Sequence, residues 1–385
     1  MKKVGICACY NTLNYGSMLQ SFATQRTVEN LGYECEFIVY QKEKSAKYII
    51  KQLPRLFNKY LIYEKMLSIK KRIKLKKYKE LYKLDGVRKQ AFLRFQKNYY
   101  KNFSPLYYGY DNLCEAAYNY SAIIVGSDQL WSPAGLGTNF YNLMFVPENI
   151  KKISYATSFG VSSIPRYQLS RTSAFLRRIN YLSVREAQGA KIVKDLIGTE
   201  AKVVADPTIL LSAEQWEKEI PNERLIDEPY ILCYFLGENS EHRQIAIQLK
   251  NEIGIKIVSM PFLDTFVKED VEFGDIQMFN AGPDGFINLI RNAECILTDS
   301  FHGSIFSILY HKQFLTLNRY SDGSNSRNSR LDSLFDYLGL KERRYCAEYG
   351  IREQMESCID YNAVDQRINK FRNESLKFLN DALAN

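Results

Sequence analysis

Short apolar runs recur along this 385-residue chain, and most end in a polar turn leading into a stretch with helical spacing. Lys3 to Ala8 is the first run, and Asn11 to Gly16 is rich in turn formers. Ser17 to Leu31 then places Leu19, Phe22, Ala23 and Val28 near helical spacing, Gly32 stands where a helix stops, and Glu34 to Tyr40 begins the next strand. A strand–helix–strand unit of this kind favours a parallel sheet, because parallel strands need a crossover connection.

The pattern occurs in two series. Strand-like runs at 121–125, 152–156, 181–184 and 202–205 continue the first, with helical stretches at 168–180 and 186–196. From about Glu223 a second begins, with strands expected at 230–236, 255–260, 295–299 and 314–317 and helices at 241–252, 284–292 and 303–310. The charged stretch from Pro221 to Pro229 reads as a linker. The expected organisation is an N-terminal Rossmann-like domain over 1–222, a C-terminal Rossmann-like domain over 223–355, and a helix within 356–385 packing back on the first domain.

Residues 44–101 differ from the rest. From Lys47 to Lys101 there are 18 Lys or Arg against Glu64, Glu80 and Asp85, a local +15 in a chain whose total is +9. Ile62, Met66, Ile69 and Ile73 follow helical spacing, with Lys70, Lys71, Lys74 and Lys77 on the other faces, so one or two basic amphipathic helices are expected as an insertion in the first domain. Docking to anionic lipid headgroups and a merely solvated charged helix pair are both open readings. Nucleic acid is not expected as a partner, because no recognised reading motif accompanies the lysines.

A hydrophobic fraction of 46% and charged fraction of 25% suit a soluble globular protein. No run approaches the ~20 residues of a membrane span. Val4 to Ala8 is too short for the core of a secretory leader, so a cytoplasmic protein is expected. The eight cysteines are scattered without a CxxC pair, and several fall within strand-like runs, as Cys233 and Cys295 do. Buried thiols in a reducing compartment are expected, and no metal.

Chemistry in such a fold sits at strand ends, beside helix N-termini that attract anions. The sharpest candidate is Leu297-Thr298-Asp299-Ser300-Phe301-His302-Gly303-Ser304, which ends an apolar run and opens a helix. His302 suits proton transfer near neutral pH; a capping or core histidine is the alternative. His242 and His311, the other two histidines, read as solvated surface residues. Ser127, Asp128 and Gln129 follow Val125-Gly126 and offer hydroxyl, carboxylate and amide to a polyol or phosphate, with an Asx-turn and Trp131 as a packing plug the alternative. Asn14, Gly16 and Ser17 form an anion or sugar loop without a dinucleotide or P-loop signature. Arg185 could clamp a carboxylate or phosphate, or pair with Glu186; Asp206-Pro207-Thr208 reads as a cap. The polar stretch from Ser321 to Arg330, with Arg319, Arg327 and Arg330, reads as a loop with cations for an anionic donor.

In order, Asn14-Tyr15-Gly16, Val125 through Trp131, Ser154 through Gly160, Ser183 through Glu186, Asp206-Pro207-Thr208, Thr298 through Gly303 and Asn328 through Asp332 resemble the polysaccharide pyruvyl transferase family over roughly residues 4–345. The resemblance implies an α/β, GT-B-like fold of two Rossmann-like doubly wound domains facing a cleft. It implies transfer of a pyruvyl group from phosphoenolpyruvate to a sugar diol of a cell-surface polysaccharide or its lipid-linked precursor. A cyclic ketal forms and phosphate leaves, with no cofactor besides the donor. The chemistry of such a transfer would give His302 and Asp128 catalytic roles, and Arg185, Arg330, Ser300, Gly303 and Ser304 donor-binding ones. Asn14, Gly16, Ser17, Ser127 and Gln129 fall to the acceptor. Many members carry Asp where this chain has Ser17, so a carboxylate role there does not transfer. A GT-B glycosyltransferase using a nucleotide-sugar donor is the competing reading.

Overall fold

A computed structural model describes residues 3–43, 58, 61–62, 65–69, 73, 79–134, 139–263, 267, 270, 272–319 and 329–384. Thirteen strands are found among them. The first sheet contains β1 (Lys3–Cys7), β2 (Glu34–Phe37), β5 (Ala122–Val125), β6 (Lys151–Thr157), β7 (Tyr181–Val184) and β8 (Lys202–Val203). Between β2 and β5 in sequence, β3 (Tyr40–Gln41) and β4 (Tyr107–Tyr108) form a separate pair. The second sheet contains β9 (Tyr230–Tyr234), β10 (Lys256–Ser259), β11 (Ile276–Gln277), β12 (Cys295–Thr298) and β13 (Gln313–Thr316).

Both sheets are parallel throughout, in the orders β2-β1-β5-β6-β7-β8 and β11-β10-β9-β12-β13. Burial on both faces explains why the central strands read as unbroken apolar runs rather than alternating ones: β5 (Ala-Ile-Ile-Val) and β12 (Cys-Ile-Leu-Thr) are buried at every position. Each order reverses direction once, between β1 and β5 and between β9 and β12. These reversals are where a doubly wound sheet opens a crevice beyond its strand ends.

One core joins the two sheets. The helix Tyr15–Asn30 is buried from Tyr15 to Val28 and has no polar face to give to water. Its polar side chains are bonded instead: Thr24 donates to the Gln20 carbonyl at 2.7 Å, and Arg26 Nε donates to Glu219 at 2.9 Å. The Tyr15 ring stacks on Phe286 at 5.1 Å and meets Tyr234 edge-on at 5.6 Å, both from the second half. Trp216 bridges Phe22, at 5.5 Å, and Phe306, at 5.2 Å. The helix Tyr361–Ala384 runs from the second half back to the first sheet, where Ser375 Oγ accepts from Ala205 N at 2.9 Å and Lys151 Nζ donates to the Leu383 carbonyl at 3.1 Å.

The basic segment contains an amphipathic helix, as expected. Its last part, the helix Lys79–Tyr99, is a core element whose inner face buries Ala91, Phe92 and Phe95. Ile62, Met66, Ile69 and Ile73 do keep helical spacing, yet they stay exposed instead of covering a core. Lys70, Lys71, Arg72, Lys74 and Lys77 lie outside the described residues, as do Arg327 and Asn328.

Candidate active site

The two crevices meet in one cavity of about 310 Å³. Cys9 and Asn14 reach it from the end of β1, and Asp128, Gln129 and Leu130 from the end of β5. Leu236 follows β9, Ser300, Phe301 and His302 follow β12, Arg319 follows β13, and Arg330 completes the lining.

The first loop is built by capping. Asn14 Oδ1 accepts from Ser17 N at 3.0 Å, which starts the Tyr15–Asn30 helix at the cleft. Gly16 is there because His302 is: a Cβ on Gly16 would stand 1.9 Å from His302 Nδ1. Ser17 Oγ donates to Asp128 Oδ2 in a very short contact, so its hydroxyl takes the first-loop position beside the β5 carboxylate.

Asp128 has φ of 87°, a conformation L residues seldom adopt, and strain of this kind gathers at functional sites. Its Oδ1 also accepts from Gln129 N at 2.8 Å. Burial pushes the carboxyl up, but Arg185, the Ser17 hydroxyl and His302 outweigh that and hold it below the ordinary carboxylate range. With its amide oxygen turned toward the guanidinium, Gln129 accepts from Arg330 Nη2 at 2.7 Å and Nη1 at 3.2 Å.

Behind this front wall lies a buried ionic group. Asp206 Oδ2 accepts from Arg185 Nη1 at 2.8 Å and from Ser127 Oγ at 2.9 Å, while its Oδ1 caps Thr208 N at 3.0 Å. Burial alone would raise the Asp206 carboxyl, but His302 and Arg185 hold it far below the usual range. His302 Nε2 stands 3.7 Å from Asp206 Oδ2, too far for a hydrogen bond, and has no partner among the described residues. Arg185 Nε and Arg330 Nε also lack hydrogen-bond partners there, and Arg185 Nη2 has only the Asp128 carboxylate, 3.9 Å away. Both guanidiniums lie close to the Phe301 ring, at 4.8 Å for Arg185 and 5.8 Å for Arg330. Burial and the neighbouring Arg185 charge push Arg330 down to about 10. Buried donors without acceptors cost free energy, so these nitrogens suit an anion that would complete them.

The second half contributes a brace. Asp299 accepts from Leu236 N at 2.7 Å and Gly237 N at 2.9 Å, tying β9 to β12 at their switch point. Arg319 Nη2 donates to the Asp299 carbonyl at 2.9 Å. Ser300 caps the helix Phe301–Leu309 by accepting from Gly303 N at 3.2 Å.

The expected residues therefore separate into two groups. Asn14, Asp128, Gln129, Ser300, His302 and Arg330 face the cavity, and Gly16 and Ser17 stand directly behind them. Ser127 does not face it, because its hydroxyl bonds Asp206 from a fully buried position. Ser304 is also removed from the donor set: its hydroxyl bonds the Ser300 carbonyl at 3.1 Å and Thr316 Oγ1 at 2.8 Å. The Gly303 N–H is taken by the Ser300 cap, and Thr298 Oγ1 fills the space where a Cβ would go. Arg185 sits one layer back, paired with Asp206 and not with Glu186, whose carboxylate accepts from Ser158 Oγ at 2.8 Å. His242 is buried, with Nδ1 3.7 Å from Asp299 Oδ2; the adjacent Glu241 suggests a surface position, but its ring packs inward on Phe235 at 5.5 Å. His311 is at the surface, 2.9 Å from Asp365 Oδ1. Sequence reasoning missed Cys9, the anchoring part of Asp206 and the Phe301 ring between the arginines and the cavity. Only the position of Asp206 at a strand end hinted at its place. Among the described residues no three His, Cys, Asp or Glu side chains group as a metal site requires.

Two Rossmann-like sheets closing on a cleft lined by cations, a histidine and a carboxylate define a GT-B-like α/β protein. The UDP-GlcNAc 2-epimerase of Methanocaldococcus jannaschii shares that fold, with a TM-score of 0.51 and 12% identity over 97% of this chain and 94% of that one. The UDP-GlcNAc 2-epimerase of Neisseria meningitidis bound to UDP-GlcNAc gives 0.47 at 11% identity, covering 100% and 99%. An alpha-glucosyltransferase in complex with UDP gives 0.47 at 9%, covering 100% and 95%. A search of curated protein sequences gives no significant match. The family description "polysaccharide pyruvyl transferase" matches residues 14–321, and the chain belongs to that family.

Proposed function

We propose that the protein transfers a pyruvyl group from phosphoenolpyruvate to two hydroxyls of a saccharide, forming a cyclic ketal and releasing phosphate. The observation that carries this reading is a set of buried nitrogens without hydrogen-bond partners among the described residues: Arg330 Nε and His302 Nε2 on residues that line the cavity, and Arg185 Nε one layer behind them. Phosphoenolpyruvate brings a phosphate and a carboxylate, two anionic groups for two guanidiniums.

The reaction removes one proton from each acceptor hydroxyl, places one on the methylene carbon and sends the other out with the departing phosphate. His302 delivers the proton to the methylene as the first hydroxyl attacks the central carbon. Loss of phosphate then leaves that carbon open to the second hydroxyl. Asp128, held ionised, accepts hydrogen bonds from the acceptor diol and orients it; Asn14 and Gln129 stand where further hydroxyls would meet them. Arg330 and, one layer back, Arg185 neutralise the charge that builds on the departing phosphate.

Thermal stability in phosphoenolpyruvate, beside a panel of nucleotide sugars, tests the donor. A ligand at ~100 times its dissociation constant adds about 2.7 kcal/mol to the folded state. A rise of several degrees with phosphoenolpyruvate alone is expected; a rise only with a nucleotide sugar would replace this reading with that of a glycosyltransferase. His302→Ala should lower phosphate release by about 10²–10⁴ while keeping the phosphoenolpyruvate-induced rise. Turnover retained in His302→Ala would remove the ring from the reaction.

A further inference from the structure

We propose that the outward face formed by Ile62, Met66, Ile69 and Ile73 and by the helix Lys79–Tyr99 is a docking surface for an anionic lipid bilayer. Ile62, Met66, Ile69 and Ile73 fall at i, i+4, i+7 and i+11, the spacing of a single helical stripe. Such a stripe ordinarily faces a core, yet these side chains are 42%, 51%, 57% and 62% exposed. The helix Lys79–Tyr99 continues the pattern. Its inner face is spent on the protein, while Tyr82, Lys83, Leu93, Arg94 and Lys97 face outward. Between Tyr82 and Asn98 the sole carboxylate is Asp85, which is buried.

Large apolar side chains interleaved with amines, with no exposed carboxylate among the described residues from Tyr82 to Asn98, match an interface of hydrocarbon and anionic headgroups. The charge distribution agrees: +15 is concentrated between Lys47 and Lys101 of a chain carrying +9, so the remainder is net acidic and turned away by the same surface. A nucleic acid would use the amines but leave the Ile and Met stripe in water.

Two buried residues of the same segment reach the loops of the cleft. Asn58 Nδ2 donates to the Pro133 carbonyl at 3.0 Å, on the loop that brings Asp128, Gln129 and Leu130 to the cavity. Arg88 Nη2 donates to the Leu13 carbonyl, next to the cavity residue Asn14. A bilayer meeting this face would hold the acceptor loops near its surface, where a saccharide anchored to lipid would present its hydroxyls. That last consequence rests on the pyruvyl-transfer reading; the docking does not.

Sedimentation of the full chain with vesicles of phosphatidylglycerol and phosphatidylcholine, against phosphatidylcholine alone, tests it. The chain should sediment with the anionic vesicles only, and less as salt rises. Each amine at a membrane surface is worth about fivefold, so Lys83→Gln with Lys97→Gln should weaken partitioning about 25-fold. Ile69→Ser with Ile73→Ser should weaken it as well, with melting temperature unchanged in both pairs. Equal sedimentation with both vesicles, none with either, or indifference to both substitution pairs would overturn the proposal. So would capture by duplex DNA that the amine pair abolishes and the isoleucine pair spares. Vesicle binding without a phosphoenolpyruvate-induced rise in stability would leave docking standing and remove the pyruvyl reading alone.

Discussion

At the residue scale the site depends on close approach. Gly16 gives up a side chain so that the His302 ring can lie against the first helix, and a methyl there would sit 1.9 Å from Nδ1. Gly16→Ala should displace the ring and lower turnover about as far as removing it, by 10²–10⁴, with the far-ultraviolet spectrum unchanged. Wild-type turnover in Gly16→Ala would show that the ring's position against this helix is immaterial. His242 makes a different prediction. Burial, with the Arg243 charge, lowers its pKa against the ordinary 6.5, although Asp299 pulls the other way. As pH falls through 6.5 the unfolded chain binds the proton first, so this group contributes stability that is lost on acidification. His242→Gln should therefore flatten the fall in melting temperature between pH 7 and pH 5; an undiminished fall would show that the imidazole titrates alike in both states.

At the element scale the helix Lys79–Tyr99 serves two surroundings. Phe95 is fully buried against Phe22 at 6.1 Å and Tyr99 at 4.7 Å, while Lys97 two residues on is exposed. Phe95→Ala should destabilise the fold by about 3–5 kcal/mol in denaturant unfolding, as expected of a core position. A loss under about 1 kcal/mol would instead make the helix a peripheral addition. The helix Phe301–Leu309 is buried along its whole length, and Ser300 at its cap holds Gly303 N and thereby withdraws that N–H from any ligand.

At the scale of the whole molecule, the two sheets share a core and not merely a cleft. Tyr15 against Phe286 and Tyr234, Trp216 between Phe22 and Phe306, and the final helix returning to Ala205 all cross from one half to the other. Calorimetry should accordingly show one cooperative transition, with van't Hoff and calorimetric enthalpies equal. Two resolved transitions would mean that the halves unfold independently. Phosphoenolpyruvate should move that transition as one.

Much of this was legible in the residues. The continuous apolar runs of β5, β9 and β12 mark strands buried on both faces, and the polar residues just beyond them mark the strand ends where a doubly wound sheet binds. Asn14, Asp128, Gln129, Ser300 and His302 could be picked out because local chain order alone puts them there. Side-chain direction was not legible. Ser127 and Asp128 are neighbours, yet one hydroxyl turns inward to Asp206 and the other side chain bends to the cavity at φ of 87°. The partner of Arg185 is Asp206, 21 residues away and on another loop, not the adjacent Glu186. The exposure of the Ile62 to Ile73 stripe is likewise a fact of packing, since spacing shows which residues share a face but not whether anything covers it. Sequence determined the periodicity, and with it the strands, helices and their polar ends. Only tertiary structure decided which charges meet and which faces remain open, because those depend on distances between segments that the chain brings together only by folding.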